Sequence, residues 1–362
     1  MNRWTTLAPP ASLVVLAVAW VTHPEDALGV TLVAVFLVAA VLAAVYHAEV
    51  VAHRVGDPLG SLILAVAVTV IEVALIVTLM VGDPVHGSTY ARDTVFAAVM
   101  ISINGIVGLS LMVAALRHHL AVFNPEGTGS ALATVITLAG LTLVLPTFLT
   151  SNPGPEFTAV QLAFAAVASL ALYVLFVFTQ TVRHTDFFLP PQDDDRGTDH
   201  GTDHGDHDLP SNRDTLVSLG LLVLALVSVV GLAKVESKPL EKAVAAAGLP
   251  HEVVGVVIAS LVLLPEAISA VRAAANDRVQ VSFNLAYGSA IASIGLTIPT
   301  IALAKIWVDG PLVLGLQNTQ IVLLALSSIV GVLTVVPGRS KPLQGGLHLV
   351  LLATFVFVSI SP

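Results

Sequence analysis

The chain has 362 residues, of which 56% are hydrophobic and 11% charged, against about 25% charged in soluble globular proteins. Charge this sparse, spread over apolar runs of about 20 residues, excludes the two soluble domains that the length would allow and predicts a polytopic helical membrane protein. The net charge of −9, with 15 scattered Lys and Arg, offers nucleic acid no basic face, and zero cysteines exclude disulfides and thiolate chemistry.

Eleven apolar segments follow in chain order: 7–21, 27–53, 59–82, 93–116, 129–150, 157–181, 215–234, 251–273, 282–305, 311–336 and 343–361. The breaks carry turn signals, among them His23-Pro24, Gly56-Asp57-Pro58, Gly82-Asp83-Pro84, Asn124-Pro125, Asn152-Pro153-Gly154-Pro155 and Pro337-Gly338. The first segment follows Arg3, as a signal peptide would, but no A-x-A cleavage site comes after it, so it is expected to stay as a peripheral helix (1–26).

The second segment ends in the polar stretch Tyr46-His47-Ala48-Glu49 through His53, next to Arg54, which places it at a membrane mouth. His47 and Glu49 are therefore candidates for gating or ion access. The third segment holds Glu72 in LILAVAVTVIEVALIVTLM, where nearly every neighbour is aliphatic. A carboxylate at bilayer depth costs roughly 2.5–3.5 kcal/mol on insertion scales and marks an ion or proton site. The fourth offers Asn104 as a neutral oxygen ligand, with Gly105 and Gly108 allowing close helix approach. Ser102 and Thr69 are weaker candidates of the same kind.

Residues 182–214 hold nine aspartates and four histidines, mostly in the run Thr198-Asp199-His200 to Asp208. Such a tract buries no core and predicts a disordered acidic linker. Beyond it, the eighth segment begins with Glu252, a candidate at the opposite mouth, and carries Glu266 directly after Pro265. That proline removes a backbone bond to the carbonyl of Leu261, and freed carbonyls beside a carboxylate suit a hard cation. In the ninth segment Ser289 and Ser293 share one helix face, and Ser289 is the favoured site-lining residue.

The linker leaves five segments on each side, in 27–181 and 215–362. Five is odd, so the halves have opposite orientations: an inverted repeat, with one buried glutamate in the second helix of each. With the N-terminus in the cytoplasm, ten of the 15 basic residues, nearly all of them arginines, face inward, and the C-terminus lies outside. His251-Glu252-Val253-Val254-Gly255 lacks the second histidine of a zinc-protease motif, and neither a phosphate-binding loop nor a nucleophile elbow is present, so no enzyme is expected. Two buried glutamates facing one site are favourable either when protonated or with a cation between them, and the two states exclude each other. That exclusion is the physical basis of exchange.

The stretches His47-Ala48-Glu49 through GDPLGSLILAVAVTVIEVALIV, RDTVFAAVMISINGIVG and VLLPEAISAVRAAANDRVQVSFNLAYGSAIASIGLTIP resemble the calcium/cation:proton antiporter family of the cation/calcium exchanger superfamily, most closely its bacterial ChaA-like group. The arrangement of one helix, five helices, an acidic loop and five helices is similar as well. The resemblance implies that Glu72 and Glu266 bind cation and proton, helped by backbone carbonyls near Val68 and Val262. Plant and fungal members carry Gly-Asn-Ala-x-Glu at both centres; here the stretches read Val68-Thr69-Val70-Ile71-Glu72 and Val262-Leu263-Leu264-Pro265-Glu266.

The expected function is exchange of cytoplasmic Ca2+ for external protons, with a Na+ or K+/proton antiporter as the alternative. A non-transporting membrane sensor, binding metal through the Asp/His loop, is the reading from another class. No cofactor is expected beyond the transported ions, and the expected partners are inorganic cations, protons and the lipid bilayer of the cell membrane. The sequence carries no signal of oligomeric state.

Overall fold

A computed structural model describes residues 3–24, 26–56, 59–82, 87–190, 210–308 and 310–361, the side chains of 59–66 excepted. The Asp/His run lies outside the described residues. The chain forms α1 (Arg3–Thr22), α2 (Ala27–Val55), α3 (Leu59–Gly82), α4 (Tyr90–His118), α5 (Pro125–Phe148), α6 (Ala159–Arg183), α7 (Asn212–Ala246), α8 (Glu252–Ala275), α9 (Val279–Ala304), α10 (Asn318–Val335) and α11 (Pro342–Ile360). Ten of these are long and apolar enough to span a membrane, and Ala67–Gly82 of α3 is a shorter apolar stretch, among the described residues.

Local chemistry sets several helix starts. Asp26 caps α2 by accepting from the Gly29 amide at 3.0 Å, and Asn124 caps α5 with Pro125 in its first turn. Thr158 and Gln161 form a reciprocal capping box on α6.

Three stretches differ from the sequence reading. The linker expected over 182–214 is ordered at its start, where Thr185–Phe188 form a 3-10 turn that buries Phe188 against Phe176, because two aromatic residues precede the acidic run. The helix predicted to stop at 234 continues to Ala246, because Lys, Glu, Leu and Ala around Pro239 favour helix and the charges lie beyond the apolar stretch. The helix predicted from 311 starts at Asn318. Residues 311–317 instead run extended, and their amides reach distant parts of the chain: Val313 to Ser88, Gly315 to Pro155 and Leu316 to Leu143 in α5. Pro311 and Gly315 disfavour helix there.

Packing repeats between the two halves. α9 lies on α3 as α4 lies on α8, and α9 lies on α6 as α4 lies on α11. Each of these two central helices also makes a close approach at a glycine. A Cβ on Gly295 would sit 2.7 Å from that of Tyr173 in α6, and one on Gly108 would sit 2.9 Å from that of His348 in α11. The fold is thus all-α, two five-helix halves with α1 added at the edge.

α2 and α7 pack on each other, and α1 packs on both. Ser12 of α1 donates to the Phe36 carbonyl at 3.1 Å. One end of the bundle gathers the loops rich in basic residues: Arg54 donates to Asn212 at 2.7 Å, Arg117 to the Ala275 carbonyl at 3.4 Å, and strands β1 (Ala121–Val122) and β2 (Arg339–Ser340) pair antiparallel. The extended segment 311–317 lies at the other end.

Candidate ion site

A cavity of about 270 Å³ opens between α3, α6, α8 and α9. Glu72 and Glu266 both line it, so the two halves bring their carboxylates to one place. Glu72 is 2% exposed. Ser293 donates to its Oε2 at 2.9 Å, whereas its Oε1 is buried with no hydrogen-bond partner. Glu266 likewise buries Oε2 without a partner. The two carboxylates interact electrostatically, and Glu49 lies within electrostatic reach of Glu266.

The rest of the lining supplies neutral oxygens. Thr69, Asn284, Ser289 and Ser293 contribute side chains, and Val68 lies beside them. Ser289, Ser293 and Thr297 form a stripe one turn apart on α9, and Thr297 also buries a hydroxyl without a partner. Tyr173 and Gln180 of α6 complete the wall; the sequence reading missed them because their segment carries no charge and α6 meets α9 only through tertiary packing. Hard cations take six to eight oxygens, and two carboxylates with several hydroxyls and amides are a donor set of that kind. The cavity reaches toward Val281 at the start of α9 and Gln180 at the end of α6, hence toward the end that carries the basic loops.

The other candidates lie elsewhere. Asn104 does not line this cavity. It sits in a π-helical turn, Ile101–Ile106, and belongs to a separate buried chain of hydrogen bonds. His348 Nδ1 meets Asn104 Oδ1 at 3.1 Å, Thr334 meets His348 Nε2 at 3.2 Å, and Asn104 Nδ2 donates to Ser327 at 2.8 Å. The amide oxygen accepts only, so Nδ1 carries the imidazole proton and the Thr334 hydroxyl donates to Nε2. Asn104 thereby joins α4, α10 and α11.

Val262 is buried in α8 and outside the cavity lining. His47 is fully buried and binds the Thr5 carbonyl of α1 at 3.0 Å through Nε2, a helix-to-helix tie in place of the expected mouth. Glu49 is exposed near the end of α2. Glu252 starts α8 at the opposite end, within electrostatic reach of Asp93.

A repeated helical bundle around an acidic cavity defines a class, the membrane carriers that exchange ions, and comparison with known proteins narrows it. The sodium/calcium exchanger protein family matches residues 25–182 and 217–361. The chain is 43% identical to the candidate ionic transporter y4hA of Sinorhizobium fredii, over 99% of this chain and 96% of that one. It is 33% identical to the sodium-potassium/proton antiporter ChaA of Escherichia coli, over 86% of this chain and 83% of that one. Its fold is similar to that of YfkE, with a TM-score of 0.71 at 14% identity, covering 98% of this chain and 99% of that one. The chain belongs to the sodium/calcium exchanger family, in a ChaA-like group, and is a multi-pass cation exchanger.

Proposed function

We propose that the chain exchanges cytoplasmic Ca2+ for external protons through Glu72 and Glu266. The observation that carries this reading is their shared cavity, in which each carboxylate keeps a buried oxygen without a partner. Two ionised carboxylates left unpaired at so buried a position repel each other and lose solvation. Two protons neutralise them, and so does one divalent cation. Binding one therefore displaces the other, and a neutral site reorients more readily than a charged one. Ser293 holds one oxygen of Glu72 in place, and Ser289 adds to the oxygen shell. The solved YfkE structure similar in fold is described as a Ca2+/H+ antiporter.

The halves are 27–181 and 215–362, with 182–214 as a cytoplasmic linker and 1–26 as a peripheral helix. The N-terminus lies in the cytoplasm and the C-terminus outside the cell membrane, so the cavity faces the cytoplasm. With an inward proton gradient the cation is exported.

A second reading, Na+ or K+ for protons, is favoured by the likeness to ChaA and by the withdrawal of Asn104 into its own cluster, which leaves fewer oxygens for a divalent ion. In that case one of the two glutamates stays protonated. Proton flux in proteoliposomes separates the readings, with Ca2+, Na+ and K+ added singly. The proposal expects Ca2+-driven flux that Glu72→Gln and Glu266→Gln each abolish. Flux with Na+ or K+ alone selects the second reading, and no flux from folded protein with any of the three ions overturns both.

A further inference from the structure

α6 and α9 touch at one level and part above it. They are in contact where a Cβ on Gly295 would sit 2.7 Å from that of Tyr173. Toward the end opposite the basic loops, the small side chains of Ala159, Ala163 and Ala166 on α6 leave a gap, and a groove of about 660 Å³ opens between the two helices. Ligand pockets usually hold about 300–1,000 Å³. Pro299 of α9 faces the groove and interrupts the backbone ladder one turn above Gly295, where the helices separate. Leu312 and Leu314 of the extended segment, both buried, close the back.

The groove has the depth of one membrane leaflet. Its lining on α6 runs from Ala159 to Leu170, about 16 Å at the helical rise, and the hydrocarbon core of a bilayer is about 30 Å thick. Trp307, next to the lining residue Ile306, is 78% exposed, and exposed tryptophan marks the boundary between membrane and water. The head of the groove therefore lies at headgroup level, and its foot lies near mid-bilayer.

Among the described residues that line the groove, two are charged, and both sit at its head: Glu156 just before α6 and Lys305 at the end of α9. They have opposite signs and form no ion pair with each other. The Lys305 ammonium donates to the Gly310 carbonyl at the rim and has two further N–H donors. A ligand that fits has an apolar tail one leaflet long, with an anionic and a cationic group side by side at its head. A phospholipid carrying ethanolamine has that chemistry. A glycerol headgroup brings a phosphate but nothing to answer Glu156, and the quaternary ammonium of choline has no N–H to donate.

We propose that this groove binds a phospholipid with an ethanolamine headgroup, its phosphate on Lys305, its ammonium on Glu156 and one acyl chain along α6 between Ala159 and Leu170. The foot of the groove is one turn from Tyr173, which walls the ion cavity, so the bound chain braces the contact between α6 and α9.

Delipidated protein in detergent is offered an equimolar mixture of phosphatidylethanolamine, phosphatidylglycerol and phosphatidylcholine with the same acyl chains. Native mass spectrometry reads the lipid retained, and melting temperature is measured with each lipid alone. Phosphatidylethanolamine should be retained about threefold or more over each of the others, the discrimination that a half-exposed ion pair gives, and should raise the melting temperature most. Lys305→Gln should lower retention of all three lipids, whereas Glu156→Gln should remove the preference for ethanolamine. Ala163→Phe places a ring in the groove at an exposed position and should displace the lipid from folded protein; Ala166→Leu provides the same reading if that variant does not insert. Equal retention of the three lipids marks ordinary solvating lipid and overturns the proposal. Retention unchanged in Lys305→Gln and in a folded groove-filling variant overturns it as well.

Discussion

Ser293 is the residue on which the geometry of Glu72 depends. Its hydroxyl donates to that carboxylate at 2.9 Å, with the Thr297 hydroxyl one turn on as a second interacting group, and hydrogen bonds to charged groups contribute about 1.5–3 kcal/mol. Ser293→Ala should weaken apparent cation affinity by about tenfold or more while the protein still inserts and folds, which the cation dependence of proton flux would show. Asn104 tests the opposite case. Its amide and His348 satisfy each other away from the cavity. Asn104→Ala and His348→Ala should each cost about 1–3 kcal/mol, because each leaves buried polar partners unpaired. A lowered melting temperature with unchanged cation affinity is the expected result for both. A loss of affinity in Asn104→Ala would return that residue to the site. The sequence could nominate Asn104 because it lies in a membrane helix, but which neighbour its side chain meets depends on the π-turn and on α11, neither of which local spacing encodes.

At the scale of helices, close approach decides which glycines matter. Gly295 meets α6 with no room for a methyl group, since its Cβ would sit 2.7 Å from that of Tyr173. Gly295→Ala should force α6 outward and destabilise by about 1–3 kcal/mol, with reduced flux because Tyr173 walls the cavity. At Gly220 in α7 a methyl group would meet nothing within 4 Å. Gly220→Ala should be neutral or stabilise by up to about 1 kcal/mol through helix propensity alone. Melting curves of the two variants in one detergent make the contrast. The apolar runs made most of these helices legible, since about 20 apolar residues between turn signals have few other structures in a bilayer. The exceptions had clear causes. The end of α7 is helical without being apolar, and 311–317 is apolar without being helical because its amides find partners on two distant loops and on α5.

For the whole molecule, the linker is the part whose role is open to a direct test. The run of aspartates and histidines carries no apolar content from which to build a site wall, and it lies outside the described residues, fifteen of which line the cavity. Deleting 192–210 should leave basal cation-driven flux within about twofold of the full chain, as expected from a composition too polar to build a core. Loss of all flux from inserted protein would favour the sensor reading. By itself the sequence determined the membrane class, the repeat of five and five segments, and the one glutamate central to each half. These follow from hydropathy and from the cost of placing a carboxylate in an apolar helix, both local properties of the chain. Only the tertiary structure decided that the two glutamates share a cavity, that Ser293 rather than Asn104 serves one of them, that His47 holds α1, and that Glu156 and Lys305 head one groove. Those contacts join residues from distant parts of the chain, and they are set by the angles and rotations at which helices pack, which hydropathy and spacing leave open.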